Sequence, residues 1–163
     1  METVNKLGLF KEPFRDHRCL VPALGYYEWV EEPDGKQPYF VHQPGKQIFM
    51  AGITRAWRDP AADAKEKWRL SMSIITLDSH VAPGDVHDRM PAFLTTPDSY
   101  DEWLGGHLDD AELLKLLDHT STEVADQLAY YPVSRAVNRS HLGKDADGKT
   151  IPNNRPEFVR PLA

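Results

Sequence analysis

Apolar and polar positions change their rhythm once along this chain. In the first half they follow a period of about two, the signature of strands. "LGYYEWVE" (24–31) is rich in aromatic and β-branched residues, and "PDGK" (33–36) behind it is a turn signal. "PYFVHQ" (38–43), the turn "PGK" (44–46) and "QIFMAGITRAW" (47–57) follow. The pattern predicts a meander of three strands joined by two hairpin turns. After the polar excursion "DPAADAKEK" (59–67), "WRLSMSIITL" (68–77) alternates again, with Leu70, Met72 and Ile74 on one side and Arg69, Ser71 and Ser73 on the other. The second half turns helical. Thr96, Pro97 and Asp98 start one helix and Gly105-Gly106 ends it; Asp109 with Glu112 forms a capping box before "AELLKLLDH" (111–119), where His119 suits the negative end of the dipole. "LAYYPVSRAVN" (128–138) reads as extended. The expected fold is α+β: a mixed, mostly antiparallel sheet with a few short helices, in one domain over residues 1–163.

Composition narrows the class. The chain is 40% hydrophobic and 27% charged, ordinary for a globular domain. No apolar run approaches the roughly 18 residues of a membrane span, and "METVNKLGLFKEPF" has no signal-peptide stretch, so a cytoplasmic protein without a membrane role is expected. The single cysteine, Cys19, excludes an internal disulfide and a cysteine-based zinc site. A net charge of −6 does not advertise nucleic-acid binding, so any such site must be a local basic patch on an acidic body.

Two stretches combine residues that carry chemistry. In "GYYEW" a strand places Tyr26 and Glu28 on one face and Tyr27 and Trp29 on the other. If Tyr27 and Trp29 are the buried pair, Glu28 projects among aromatic neighbours, where a carboxylate serves as a general acid or base; the alternative is a solvated glutamate near Glu31 and Glu32. In "GDVHDRMPAF" (84–93), His87 suits proton transfer, Arg89 suits a two-pronged grip on phosphate or carboxylate, and Asp88 can orient either; the alternative is a surface loop with a local Asp–Arg pair worth under about 1 kcal/mol. His80 and His87 match no compact metal motif, and no metal or cofactor is expected. Cys19 beside Arg18 reads better as a packing thiol than a reactive one, given its apolar flank "LVPAL". "FRDHR" (14–18) with Arg55, Arg58 and Arg89 offers cations for a patch. Aromatics with arginines suit single-stranded nucleic acid, where bases stack and phosphates pair with guanidinium groups.

"RCLVPALGYYEW", "KQPYFVHQPGKQIFMAGI", "SIITLDSHVAPGDVHDRMPAFL" and "YYPVSRAVN" stand in the order seen in the SOS-response-associated peptidase (SRAP) family, which the chain resembles from about Glu2 to its end. The resemblance implies recognition of abasic sites in single-stranded DNA within the DNA-damage response. It implies a mechanism in which an N-terminal cysteine attacks the sugar aldehyde through its α-amine and closes a thiazolidine through its thiol, and in which the same cysteine serves self-cleavage. It assigns proton transfer to Glu28 and His87 and DNA contact to Trp29, Thr76 and Arg89. The reaction needs an amine nucleophile, groups that move protons and a cationic, aromatic cleft.

This chain departs from the family at its start. Residue 2 is Glu2 rather than cysteine, and only Glu2 and Thr3 match the end of the family's Asn-Ala-Arg-x-Glu-Thr motif. Cys19 is internal and has no free α-amine. The reading is a family domain truncated at its N-terminus, lacking its first strands, with sheet edges and apolar surface left exposed. A mis-started reading frame, a split gene with a complementary N-terminal segment, and a decayed remnant are the three origins consistent with that. The isolated chain is expected to form no covalent crosslink, and a non-catalytic single-stranded-DNA binding module is the alternative function.

Overall fold

The structure, a computed structural model, describes residues 3–62, 67–79 and 88–162. Helix α1 (Gly8–Asp16) leads into β1 (Arg18–Ala23), β2 (Tyr26–Glu32), β3 (Gly35–His42), β4 (Ile48–Arg58), β5 (Trp68–Ile74), β6 (Thr76–Asp78), β7 (Arg89–Pro91) and β8 (Phe93–Leu94). Helices α2 (Pro97–Leu104) and α3 (Asp110–Ala125) follow, then β9 (Ala129–Pro132), β10 (His141–Lys144) and β11 (Thr150–Pro152). Every ladder is antiparallel: β1-β4-β5 with β8 also on β4, β2-β3-β9, β6-β7, and β10-β11. This is the expected α+β architecture. Among the described residues no helix is long and apolar enough to cross a membrane.

The β2–β3 hairpin forms where "PDGK" predicts it, and Gly35 takes φ +115°, a backbone that side chains rarely tolerate. The second predicted hairpin does not form. β3 pairs with β9, whereas β4 lies between β1 and β5 in a different sheet. The reason lies in β4 itself: Ile48, Met50, Ala51 and Ile53 are all buried, on both faces of the strand, so β4 is a central strand that needs partners on each side. β9 is shorter than the extended stretch expected at 128–138, because Arg135–Asn138 closes into a 3-10 turn capped by Ser134. Helix α1 has no counterpart in the strand-like reading of the first half, since Pro13 inside it hides the helical signal. Both capping residues act as predicted: Thr96 accepts from Ser99 N, and Asp109 accepts from Ala111 N and Glu112 N. α3 runs on to Ala125, so His119 sits inside it, 3.6 Å from Glu123, rather than at its dipole end.

The core gathers Phe14, Val41, Met50, Leu77, Met90, Phe93, Trp103 and Leu117 with their neighbours, drawn from the β1-β4-β5 and β2-β3-β9 sheets, the β6–β7 ladder and helices α1, α2 and α3. Helix α3 fastens β8 by two buried hydroxyls. Thr120 Oγ1 donates to Phe93 O at 2.6 Å, and Ser121 Oγ accepts from Phe93 N at 2.9 Å. Both backbone groups of Phe93 are thereby satisfied in the interior. Three backbone bonds then knit the strands together: Ala51 N to Ala92 O, Ile75 N to Ala51 O, and Ala92 N to Ile75 O.

Candidate nucleic-acid interface

Strand β2 carries Glu28 and Trp29. Its side-chain alternation is the one expected, but the buried side is the other one. Tyr26 packs on the core with its ring 6.2 Å from Phe93, while Trp29 remains 38% exposed. Glu28 thus shares a face with Tyr26, and Tyr27 and Trp29 share the other, their rings 6.2 Å apart; Tyr27 and Glu28 are both half-buried. Tyr27 and Trp29 lie opposite Phe40 and Pro38, with the Tyr27 and Phe40 rings 5.6 Å apart, whereas Tyr26 reaches Phe93 in the main core.

Glu28 and Trp29 line a shallow cleft of about 930 Å³ with Glu31, Lys36, Val137 and Asn138. Trp29 Nε1 donates to Asn138 Oδ1 at 2.7 Å, and Asn138 Nδ2 donates to Lys36 O at 2.8 Å. The indole is therefore clamped by a side chain 109 residues away, presenting a ring of fixed orientation to solvent. Asn138 was not singled out as a site residue, although it ends the quoted motif "YYPVSRAVN". Arg135 of the same motif braces the base of the hairpin, with Nη1 2.7 Å from Asp34 Oδ2, Nη2 2.7 Å from Glu32 Oε2, and Nε 3.1 Å from Gln37 Oε1. The hydrogen bond from Arg135 holds the Asp34 carboxyl below its ordinary range.

The Tyr26 hydroxyl has no hydrogen-bond partner and is closed off from solvent. Burial, with the Glu28 charge adding to it, raises its pKa above the ordinary tyrosine value. The phenol keeps its proton and faces the same side as the Glu28 carboxylate.

Thr76 and Arg89 meet across the β6–β7 ladder. Arg89 Nη1 donates to Asp78 Oδ1 at 2.7 Å; Nη2 donates to Thr76 O at 2.8 Å and to Thr76 Oγ1 at 3.2 Å. They border a smaller cleft of about 250 Å³ floored by Ile53 and Ile75 and reached by Thr3 and Val4. The structure thus brings Glu28 to Trp29 and Thr76 to Arg89, in two different clefts. His87 lies outside the described residues, as does His80. Among the described residues no three His, Cys, Asp or Glu side chains gather in a cluster fit for a metal ion.

Two other candidates resolve as structural. Arg18 turns inward: its guanidinium donates to Trp103 O, Phe14 O, Arg15 O and Gly105 O, stitching α1 to the end of α2. It caps carbonyls rather than adding to a surface patch. Cys19 packs against Gly52, where even a methyl group would approach its Sγ to 2.8 Å, and burial pushes the thiol pKa up. A thiol so placed is a packing residue.

Comparison with known proteins places this arrangement in a family. The sequence pattern of the family described as SOS response associated peptidase (SRAP) matches residues 1–140. "Abasic site processing protein HMCES" of Mus musculus is 32% identical over 98% of this chain and 48% of its own length. "Abasic site processing protein YedK" of Escherichia coli is 30% identical over 99% of this chain and 65% of its own. A crystal structure of a protein from Bacteroides thetaiotaomicron superposes with a TM-score of 0.76 at 27% identity, covering 99% of this chain and 64% of that one. The chain spans about half the length of the vertebrate relatives it matches and about two thirds of the bacterial ones. On the strength of the 140-residue match, the chain belongs to the SOS response associated peptidase (SRAP) family.

Proposed function

We propose that this protein recognises abasic sites in single-stranded DNA as part of a DNA-damage response. Trp29, Thr76 and Arg89 contact the strand, and Glu28 and His87 move protons at the abasic sugar. The observation that carries the reading is the geometry of the four described residues. A clamped indole offers a stacking plane beside a carboxylate, and a guanidinium fixed in a β-ladder offers two-pronged contact. The Arg89–Asp78 pair is partly exposed, and such pairs are worth under about 1 kcal/mol, so a phosphate can take the place of the Asp78 carboxylate. The names of the relatives, abasic site processing proteins, agree with this reading.

In the covalent chemistry that the family resemblance implies, a cysteine α-amine adds to the sugar aldehyde and water leaves, giving an imine. The thiol then adds to the imine carbon while the nitrogen takes up a proton, closing a thiazolidine. Glu28 and His87 suit the proton transfers of these steps. The nucleophile is not within these 163 residues, whose single cysteine is the packed, internal Cys19. In this reading the 163-residue polypeptide by itself binds without crosslinking. That packing of Cys19 also favours a second reading for the polypeptide alone, a non-covalent single-stranded-DNA binding module.

Fluorescence anisotropy with a labelled single strand separates the two. The first reading expects tighter binding to a strand with one abasic site than to the intact strand, with Glu28→Gln reducing that preference and Arg89→Ala weakening both. Equal affinity for the two strands supports the binding module. Background binding to both refutes the DNA role.

A further inference from the structure

The turn that follows β9 is fastened at three points. Arg135–Asn138 is a single 3-10 turn capped by Ser134 Oγ, which accepts from Ala136 N at 3.2 Å. Arg135 ties its start to the β2–β3 hairpin through Glu32 and Asp34. Asn153, just after β11, ties it from another side: its Nδ2 donates to Ala136 O at 3.0 Å and to Val137 O at 3.3 Å. The last residue of the turn, Asn138, is thereby held in one place. Its side chain reaches both strands of the hairpin, Oδ1 accepting from Trp29 Nε1 on β2 and Nδ2 donating to Lys36 O on β3. Asn138 is itself exposed, and a bond that water can replace contributes little to folding. What it does fix is the orientation of an exposed indole.

We propose that Asn138 is a positioning residue for DNA binding, holding the Trp29 indole in the orientation in which a base stacks on it, and that Asn153 holds Asn138 in turn. Its role rests on the stacking proposed above for Trp29. An unclamped indole turns about two side-chain bonds, and immobilising such a side chain on binding weakens affinity by about two- to tenfold. Asn138 imposes that restriction before a strand arrives. It also occupies the one polar group of the ring. With Nε1 bonded to Asn138, the ring offers a ligand its π-face and no donor, and a π-face accepts every base. That suits a strand in which one base is missing and its neighbours can be any of the four.

The test is a double-mutant cycle in affinity, measured on the 163-residue chain with a labelled single strand carrying one abasic site. Trp29→Ala is the control for stacking and should weaken binding by about fivefold or more. Asn138→Ala should weaken it by about two- to tenfold in the wild-type background. Beside Trp29→Phe, which keeps a ring but has no N–H to clamp, it should cost less than about twofold. A merely structural asparagine would cost the same in both backgrounds. The clamp also has a readout without DNA. The Trp29 indole N–H resonance, identified by its loss in Trp29→Phe, should move toward that of a free indole in Asn138→Ala and in Asn153→Ala, with the circular dichroism spectrum unchanged. Equal losses of affinity in both backgrounds, or an indole resonance that stays in place in either variant, would overturn the proposal. So would an Asn138→Ala chain that binds like wild type while Trp29→Ala binds weakly, a result that leaves the DNA reading standing. If Trp29→Ala binds as tightly as wild type, the stacking role itself fails, and the positioning role of Asn138 falls with it.

Discussion

Replacing Tyr26 by phenylalanine should stabilise this protein, and the reasoning can be followed atom by atom. The ring packs 6.2 Å from Phe93 and against the core, and phenylalanine keeps that ring. What it removes is a hydroxyl that is buried without a partner. A polar group in that state carries a desolvation cost of about 1–3 kcal/mol. Taking the lower end, the variant gains about 1 kcal/mol, which for a domain of this size raises Tm by about 2–4 °C. The pH dependence gives a second, independent reading. Burial, reinforced by Glu28, holds the native phenol's pKa above that of the unfolded chain. The unfolded tyrosine ionises near pH 10. The stability linked to this group is therefore intact below pH 10 and is lost as pH rises beyond it toward the native pKa, because the unfolded state then holds fewer protons. The variant lacks that loss, so its advantage over wild type should widen above pH 10. Urea unfolding with an unchanged m-value, repeated at pH 8 and near pH 10.5, measures both effects. A variant less stable than wild type by about 1 kcal/mol or more would refute the argument, since it would mean that the hydroxyl has a partner.

Three further outcomes follow from the same structure. Ser121→Ala leaves Phe93 N without its 2.9 Å acceptor in the interior and should cost about 1–3 kcal/mol, read as a lower denaturation midpoint. Gly25→Ala would put a methyl 2.4 Å from Val41 O and 2.5 Å from Phe40 Cζ, so overpacking of about 1–3 kcal/mol is expected at the start of β2, visible in thermal melts. Arg89→Ala should weaken binding to single strands of any sequence and lower the slope of log affinity against log salt by roughly one, whereas a purely structural arginine would leave that slope unchanged.

Much of the fold can be read from local chemistry alone. The β2–β3 hairpin is written in Pro33-Asp34-Gly35, and the helix starts in Thr96 and Asp109, because turns and caps depend on residues a few positions apart. Partner choice is another matter. The apolar run of β4 announces a buried strand, but nothing in it names β1 and β5 rather than β3 as neighbours. Alternation in "GYYEW" fixes which residues share a face and not which face turns inward; that was decided by Phe93, 67 positions beyond Tyr26. Pro13 masked helix α1 because proline is ordinarily a helix breaker. Of the candidate site, Glu28 and Arg89 stand out by residue chemistry, and Trp29 and Thr76 through the family resemblance alone; the partner Asn138 is not legible, since a side-chain clamp across 109 residues leaves no mark in spacing.

The two halves of the site hang from different sheets, so something must hold their separation constant. Glu28 and Trp29 belong to the β2-β3-β9 sheet, and Thr76 and Arg89 to the β6–β7 ladder. The link runs through Phe93. Its ring receives Tyr26, two positions from Glu28, and its backbone continues through Ala92 and Pro91 to Arg89. The same backbone is fixed on its far side by Thr120 and Ser121 of α3. Any change that loosens this joint should therefore disturb both halves together. Trimming the fully buried Phe93 to leucine removes the ring contact with Tyr26 while leaving both backbone bonds in place. If the joint sets the geometry, that variant loses the proposed DNA affinity although no residue proposed to contact DNA has changed. If affinity is preserved in a variant shown to be folded, the halves are held apart by their own sheets and Phe93 is only core.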